Sequence, residues 1–238
     1  MVKLAILICG EYRSFDLGYK TFNIFDKLNP DYYFSTWDKS HEKNQDLGID
    51  IQQDINEENI TKFLPNVKIS ILNNQTYTEK GYTNTEKMYF HWKNALQMVL
   101  DSGEEYTHIF LTRPDIWLEK LNDIDDFEFL EKNECHYILS EYRIYYCSVN
   151  RFNMDDRLLL GCYETMKKFI IGLPLDASPI HDGLAKYLMT TEFCVEAMPI
   201  KGKIIRGNCR GVDNLNNDIL NKTRIDWRNS ILKTNRII

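Results

Sequence analysis

The six residues Leu4–Cys9 form an uninterrupted apolar run that ends at Gly10. Successive side chains of a strand point to opposite faces of its sheet, so an all-apolar run indicates a strand that is buried on both faces. Such strands are typical of parallel sheets that are covered by helices. The run is too short for a membrane span or a secretory signal, and Glu11 and Arg13 follow it at once.

Strand and helix patterns then alternate along the chain. Thr83 and Glu86 have the spacing of a capping box, and the helix that they open keeps its apolar residues on one face as far as Gly103. This order predicts an α/β fold with a mostly parallel sheet flanked by helices. Further strands are expected at 32–36, 67–72, 107–112, 136–140, 157–160 and 195–200, and further helices at 15–28, at 163–171 and after Ser178-Pro179.

Two polar stretches, 39–54 and 73–84, have no apolar periodicity. We expect both to be loops, the first of them over the sheet rather than in the core. The chain contains no internal repeat and no linker rich in Pro, Gly or Ser, so its 238 residues are interpreted as one domain.

Charge and cysteine content exclude several classes of protein. The net charge is −6 and the basic residues are scattered, which is unlike a nucleic-acid-binding surface. The six cysteines form no Cys-x-x-Cys pair and are interpreted as free thiols, so a cytoplasmic location is expected. The sequence also lacks the signatures of P-loop, dinucleotide-binding, zinc-peptidase and serine-hydrolase sites.

Charged residues follow three of the predicted strands directly. Gly10 and Arg13 follow the first, Asp38 the second, and Arg113 and Asp115 the fourth. Ligands of open parallel sheets bind outside the carboxyl ends of the strands, and this set suits a phosphate-bearing ligand with a cation. The alternative for each position is a turn residue with a surface ion pair or a cap.

Five segments along the chain form a further pattern: LICGEYRSF at 7–15, DYYFSTWD at 31–38, FLTRPDIW at 110–117, DRLLLG at 156–161 and PIHDGL at 179–184. Together they resemble motifs of small bacterial, phage and large-virus glycosyltransferases of the GT-A fold. The resemblance covers the chain to about residue 187. It implies a nucleotide-sugar donor bound by about 1–117, a glycan or other hydroxyl acceptor bound by about 118–210, and a tail at 211–238.

The resemblance also implies roles for single residues. Gly10 and Arg13 are expected to bind the donor, with Arg13 reaching its phosphates, and Asp38 is expected to meet the base or ribose. Arg113 is expected to help neutralise the leaving diphosphate. Asp182 could orient or deprotonate the acceptor hydroxyl, although an acid in the first turn of a helix needs no such role.

A divalent ion, Mn²⁺ or Mg²⁺, is implied at Asp115, where it would bridge the donor diphosphate. The sequence departs here from the Asp-x-Asp motif that usually holds this ion, because position 113 is arginine. The guanidinium of Arg113 could itself take the place of the metal. A literal Asp-x-Asp occurs at 123–125, with Asp126 beside it, but it follows no strand directly and is interpreted as a solvated turn.

Two other functions stay open at the level of the sequence. A sugar nucleotidyltransferase would use the same strand ends, but it should carry a glycine-rich basic loop, and 10–13 holds one glycine and one arginine. A carbohydrate-binding module would use the Tyr and Trp residues for stacking on sugars. The sugar, the nucleotide and the stereochemical outcome also stay open.

Overall fold

The computed structural model describes residues 2–44, 49–120, 127, 130, 137–140, 157–174, 184, 187, 191, 194–197 and 200–204. The strands are β1 (Leu4–Cys9), β2 (Asp31–Trp37), β3 (Lys39–Asn44), β4 (Ile49–Asp54), β5 (Lys68–Leu72), β6 (His108–Thr112), β7 (Ile116–Lys120), β8 (Tyr137–Ser140), β9 (Leu158–Cys162), β10 (Cys194–Ala197) and β11 (Ile200–Ile204). The helices are α1 (Phe15–Gly18), a 3₁₀ helix (Tyr19–Leu28), α2 (Glu57–Thr61), α3 (Asn74–Glu79), α4 (Asn84–Asp101) and α5 (Tyr163–Gly172).

A seven-stranded sheet in the order β10-β8-β9-β6-β1-β2-β5 forms the centre of the described part of the chain. Strand β1 pairs in parallel with β2 on one side and with β6 on the other, and β2 continues in parallel to β5. Only β9 runs against its neighbours, β6 and β8, among the described strands of this sheet. The predicted fold class, an α/β fold with a mostly parallel sheet flanked by helices, is confirmed.

The two faces of β1 explain its all-apolar sequence. Leu4, Ile6 and Ile8 belong to one buried cluster, which the 3₁₀ helix covers with Phe22 and Phe25. The alternate residues of β1 belong to a second buried cluster, which is built from α4 and α5 on the opposite face. Each face of the strand therefore lies under helices, as the run without polar residues predicts.

Helix α4 has the predicted start and end. Thr83 accepts the backbone N–H of Glu86, and the Glu86 carboxylate accepts the backbone N–H of Thr83, so both partners of the capping box are present. The helix ends at Asp101, and Gly103 beyond it has a φ of +68°, a conformation that glycine adopts at low cost. No helix in the described ranges is long and apolar enough to cross a membrane.

Both predicted loops contain regular structure, so these two predictions were wrong. The stretch 39–54 is a hairpin of β3 and β4, whose backbones pair in register from Lys39 opposite Asp54 to Asn44 opposite Ile49. The stretch 73–84 contains α3, which the Asn73 side chain caps by accepting the Thr76 N–H. Backbone pairing and side-chain caps stabilise both segments without an apolar stripe, and periodicity therefore missed them.

Two other predicted elements differ in their bounds, and one strand was not predicted. The expected helix at 15–28 is α1 followed by a 3₁₀ helix, and the expected strand at 195–200 is divided between β10 and β11. Strand β7, which was not predicted, pairs antiparallel with β11, a partner about 80 residues away that no local pattern reveals. Of the expected helix after residue 178, only Leu184 and Tyr187 lie within the described residues, and both are helical.

Candidate active site at the ends of strands β1 and β6

The strand order places a topological switch point beside β1. From β1 the chain moves outward to β2 and then to β5, and it returns across the sheet to β6 on the other side of β1. The crevice outside the carboxyl ends of β1 and β6 is the place where such sheets bind ligands. The residues that follow these two strands are 10–13 and 113–115.

The chain leaves β1 through two unusual backbone conformations. Gly10 has a φ of +122°, which residues with a Cβ rarely adopt, and a Cβ added there would lie 3.8 Å from Cδ of Pro114. Arg13 has a φ of +39° and is one of two described residues other than glycine with a positive φ. The backbone N–H of Arg13 donates to Oγ of the buried Ser40 at 2.9 Å, which holds this conformation in place. Such strain is often found at functional sites.

Asp115 connects the two strand ends. Arg113 donates to both of its carboxylate oxygens, from Nε at 2.8 Å and from Nη2 at 2.9 Å. Arg13 donates to the same carboxylate from Nη1 at 3.1 Å. The Asp115 side chain is 1% exposed, whereas those of Arg113 and Arg13 are 22% and 38% exposed. The carboxylate therefore lies beneath two guanidiniums that reach the surface.

The charge of Asp115 depends on these two arginines. Burial raises the pKa of its carboxyl, but Arg113 and Arg13 lower it by more, so that the pKa lies below its ordinary value. The group is consequently an anion at neutral pH, and it stays one in spite of its burial because two cations enclose it.

Glu11 is the second carboxylate of this cluster. Its Oε2 accepts a hydrogen bond from Nε of Arg13 at 2.9 Å and forms an ion pair with Nη2 at 2.9 Å, and its Oε1 accepts the backbone N–H of His41 at 2.6 Å. Glu11 is 23% exposed, so it lies nearer to solvent than Asp115. No role for Glu11 or Ser40 is predicted from the sequence, and the only local signal is the position of Glu11 two residues before Arg13.

The metal ion implied for Asp115 does not fit this arrangement. Both carboxylate oxygens already accept guanidinium hydrogen bonds. The described residues also contain no cluster of three or more His, Cys, Asp or Glu side chains that could hold a metal.

Asp38 lies on the other side of β1, at the end of β2. Its carboxylate accepts the backbone N–H of Asn74 at 3.0 Å and the side-chain amide of Asn73 at 2.8 Å, at the start of α3. It is half-buried and belongs to the same edge of the sheet as Arg13, because Ser40 two residues later contacts the Arg13 backbone. The structure thus gives Asp38 a capping contact at this edge.

A buried hydrogen-bond network holds the turn after β1 in place. The backbone N–H of Gly10 donates to the carbonyl of Ser35 at 3.0 Å, and the Ser35 hydroxyl lies 2.8 Å from Nδ1 of His91 on α4. Asn94 donates to the same hydroxyl at 3.0 Å. Burial lowers the pKa of His91 to about 3, so its ring is neutral at physiological pH. This network fixes the ends of β1 and β2 relative to α4.

The remaining acidic candidates lie outside the described residues. These are Asp182 and the aspartates at 123, 125 and 126. Within the described part of the chain, the structure brings Gly10, Arg13, Arg113 and Asp115 together at one edge of the sheet, with Asp38 at the neighbouring strand end.

Comparison with known proteins finds a likeness at the level of structure only. No family model matches the sequence, and no curated protein matches it. Among solved structures, the chain is similar to the galactosyltransferase LgtC in complex with donor and acceptor sugar analogues, with 9% identity and a TM-score of 0.47 over 81% of this chain and 72% of that one. A likeness this distant transfers neither a function nor a site residue to this chain.

Proposed function

We propose that the chain is a glycosyltransferase that moves a sugar from a nucleotide-sugar donor to a hydroxyl acceptor. The observation that carries the proposal is the contact of Arg13 and Arg113 through Asp115 at the switch point between β1 and β6. Two guanidiniums at the carboxyl edge of a parallel sheet suit a ligand with adjacent phosphates. The five segments that resemble GT-A glycosyltransferases support the same class.

The reaction breaks the bond between the anomeric carbon and the diphosphate oxygen, and negative charge develops on the departing diphosphate. Guanidinium groups held beside that oxygen stabilise the charge as it forms. Arg113 and Arg13 are the residues for this role, because Asp115 fixes their guanidiniums at this edge of the sheet before the ligand arrives.

The other site residues take roles around this centre. Gly10 lets the backbone after β1 come close to the donor, because it carries no side chain at a positive φ. Asp38 meets the ribose or base at the end of β2. Asp182 takes the proton of the acceptor hydroxyl as the hydroxyl oxygen bonds to the anomeric carbon. In this assignment about 1–117 binds the donor and about 118–210 binds the acceptor.

Product analysis separates this proposal from its alternatives. The purified protein is incubated with a panel of nucleotide sugars, with Mn²⁺ in one series and with EDTA in the other, and released nucleoside diphosphate is measured. A glycosyltransferase releases the nucleoside diphosphate from one donor, slowly to water and faster with an acceptor. A nucleotidyltransferase instead releases pyrophosphate from a nucleoside triphosphate and a sugar phosphate.

Two variants make the experiment specific. Arg113→Gln removes one of the two guanidiniums, and release is expected to fall at least tenfold, since electrostatic stabilisation of a developing anion is worth about 10²–10³ in rate. Lys3→Gln is the matched control, because Lys3 is an exposed cation paired with Glu104 at the start of β1, the opposite edge of the sheet. Release from no donor, together with glycan binding that ignores nucleotides, would favour the carbohydrate-binding module.

A further inference from the structure

Among the described residues, two cations and two anions form the cluster around Asp115. Arg13 and Arg113 carry two positive charges, and Asp115 and Glu11 carry two negative ones. The two carboxylates are not equivalent, because Asp115 is 1% exposed beneath the guanidiniums and Glu11 is 23% exposed beside one of them. The buried carboxylate of Asp115 and the more exposed one of Glu11 therefore affect the binding of a ligand differently.

Asp115 acts on the arginines from the buried side. Its carboxylate accepts hydrogen bonds from Nε and Nη2 of Arg113 and from Nη1 of Arg13, so it fixes the distance between the two guanidiniums. Arg113 lies on the chain directly after β6, and Arg13 has a strained backbone that Ser40 holds. The pair is therefore ordered before any ligand binds, which lowers the entropic cost of binding.

Glu11 acts on Arg13 from the exposed side. Its Oε2 occupies the Nε and Nη2 edge of the Arg13 guanidinium, which is one of the two edges that form paired hydrogen bonds with a carboxylate or phosphate. A phosphate oxygen and the Glu11 carboxylate compete for this edge. Glu11 is the more exposed of the two carboxylates and can leave this edge if it also gives up its contact with the His41 N–H, whereas Asp115 is enclosed.

We propose that Arg13 and Arg113 form a diphosphate-binding site that works without a divalent ion, with Asp115 as their positioning residue and Glu11 as an internal anion that the arriving phosphate displaces. The inference rests on the proposed function for the identity of the ligand. In this proposal the two guanidiniums take the place of the metal ion implied at Asp115, because the carboxylate that they enclose does not fit a metal ion.

Inorganic pyrophosphate is the probe for this site, because it carries the diphosphate without a sugar or a base. Its binding to the whole protein is measured by calorimetry in the presence of EDTA. We expect binding in EDTA, and we expect Arg13→Gln or Arg113→Gln to weaken it by about tenfold or more, the change that accompanies loss of a charge-assisted hydrogen bond. Lys3→Gln, from the opposite edge of the sheet, is expected to bind as the wild type does.

The two carboxylate variants separate the positioning role from a metal-ligand role. Glu11→Gln removes the competing anion and is expected to tighten pyrophosphate binding in EDTA by about threefold or more, a gain that misfolding cannot produce. Asp115→Asn is expected to keep measurable binding in EDTA, and wild-type protein titrated with Mn²⁺ alone is expected to leave the electron paramagnetic resonance signal of the free ion unchanged.

Contrary results overturn the inference in identifiable ways. Pyrophosphate binding that EDTA abolishes, or stoichiometric Mn²⁺ binding that Asp115→Asn removes, shows that Asp115 is a metal ligand. Unchanged or weaker binding in Glu11→Gln shows that Glu11 does not compete for Arg13. Metal-dependent release of nucleoside diphosphate would support the proposed function and contradict this inference. Pyrophosphate binding in EDTA without release from any donor would support this inference and contradict the proposed function.

Discussion

Replacement of Asp115 by asparagine tests whether this carboxylate holds the two strand ends together. The carboxylate accepts three guanidinium hydrogen bonds of 2.8, 2.9 and 3.1 Å while it is almost fully buried. Removal of one partner from a fully buried ion pair costs about 3–5 kcal/mol. Because Arg113 and Arg13 are partly exposed and can be solvated after the change, we expect about 2–3 kcal/mol of destabilisation at pH 7.

Urea unfolding of the wild type and of Asp115→Asn at pH 7 measures this difference. For a chain of this size the same loss lowers the melting temperature by about 4–12 °C. The slope of the unfolding free energy with urea should be the same in both proteins, since the folded surface does not change. Asp101→Asn is the control, because Asp101 is exposed at the end of α4, and its effect should stay within about 0.5 kcal/mol.

The dependence on pH gives a second measure of the same contact. The folded-state pKa of Asp115 is lowered, so its contribution is fully present above the unfolded pKa of about 3.9 and is lost as the pH falls through the folded value. The difference between wild type and variant should therefore be constant from pH 7 to about pH 5 and should shrink below about pH 4. A difference below about 0.5 kcal/mol at pH 7 would refute the reasoning.

Three further substitutions test the surroundings of the site. Gly10→Ala is expected to cost about 1–3 kcal/mol, because its φ of +122° strains any residue with a Cβ, whereas Gly81→Ala at a φ of +76° in open space should cost less; chemical denaturation compares them. Between pH 6.5 and 3 only the unfolded state protonates His91, so the wild type loses up to about 1.4 kcal/mol of stability per unit fall in pH. His91→Asn should not show this loss. An identical pH profile of stability in the two proteins would contradict the neutral burial of His91. Thr83→Ala should cost about 1 kcal/mol in thermal unfolding through loss of the cap on the Glu86 N–H, and an unchanged melting temperature would show that the cap does not contribute.

The sequence was sufficient where the determining interactions are local. The all-apolar run of β1 and the capping box of α4 are each encoded within a few residues, and both were predicted correctly. The parallel direction of β1, β2 and β6 follows from the alternation of strands and helices, and so does the expectation that Arg13 and Arg113 lie at one edge of the sheet.

Only the tertiary structure decided what these charged residues contact. Asp115 lies 102 residues from Arg13, and the contact between them exists because β1 and β6 pair side by side. The sequence motif around Asp115 suggests a metal ligand. It reveals neither the second guanidinium, which comes from the other strand end, nor the burial of the carboxylate. The pairing of Glu11 with Arg13 and the hairpin of β3 and β4 likewise depend on hydrogen bonds between polar groups, which leave no periodic signal in the sequence.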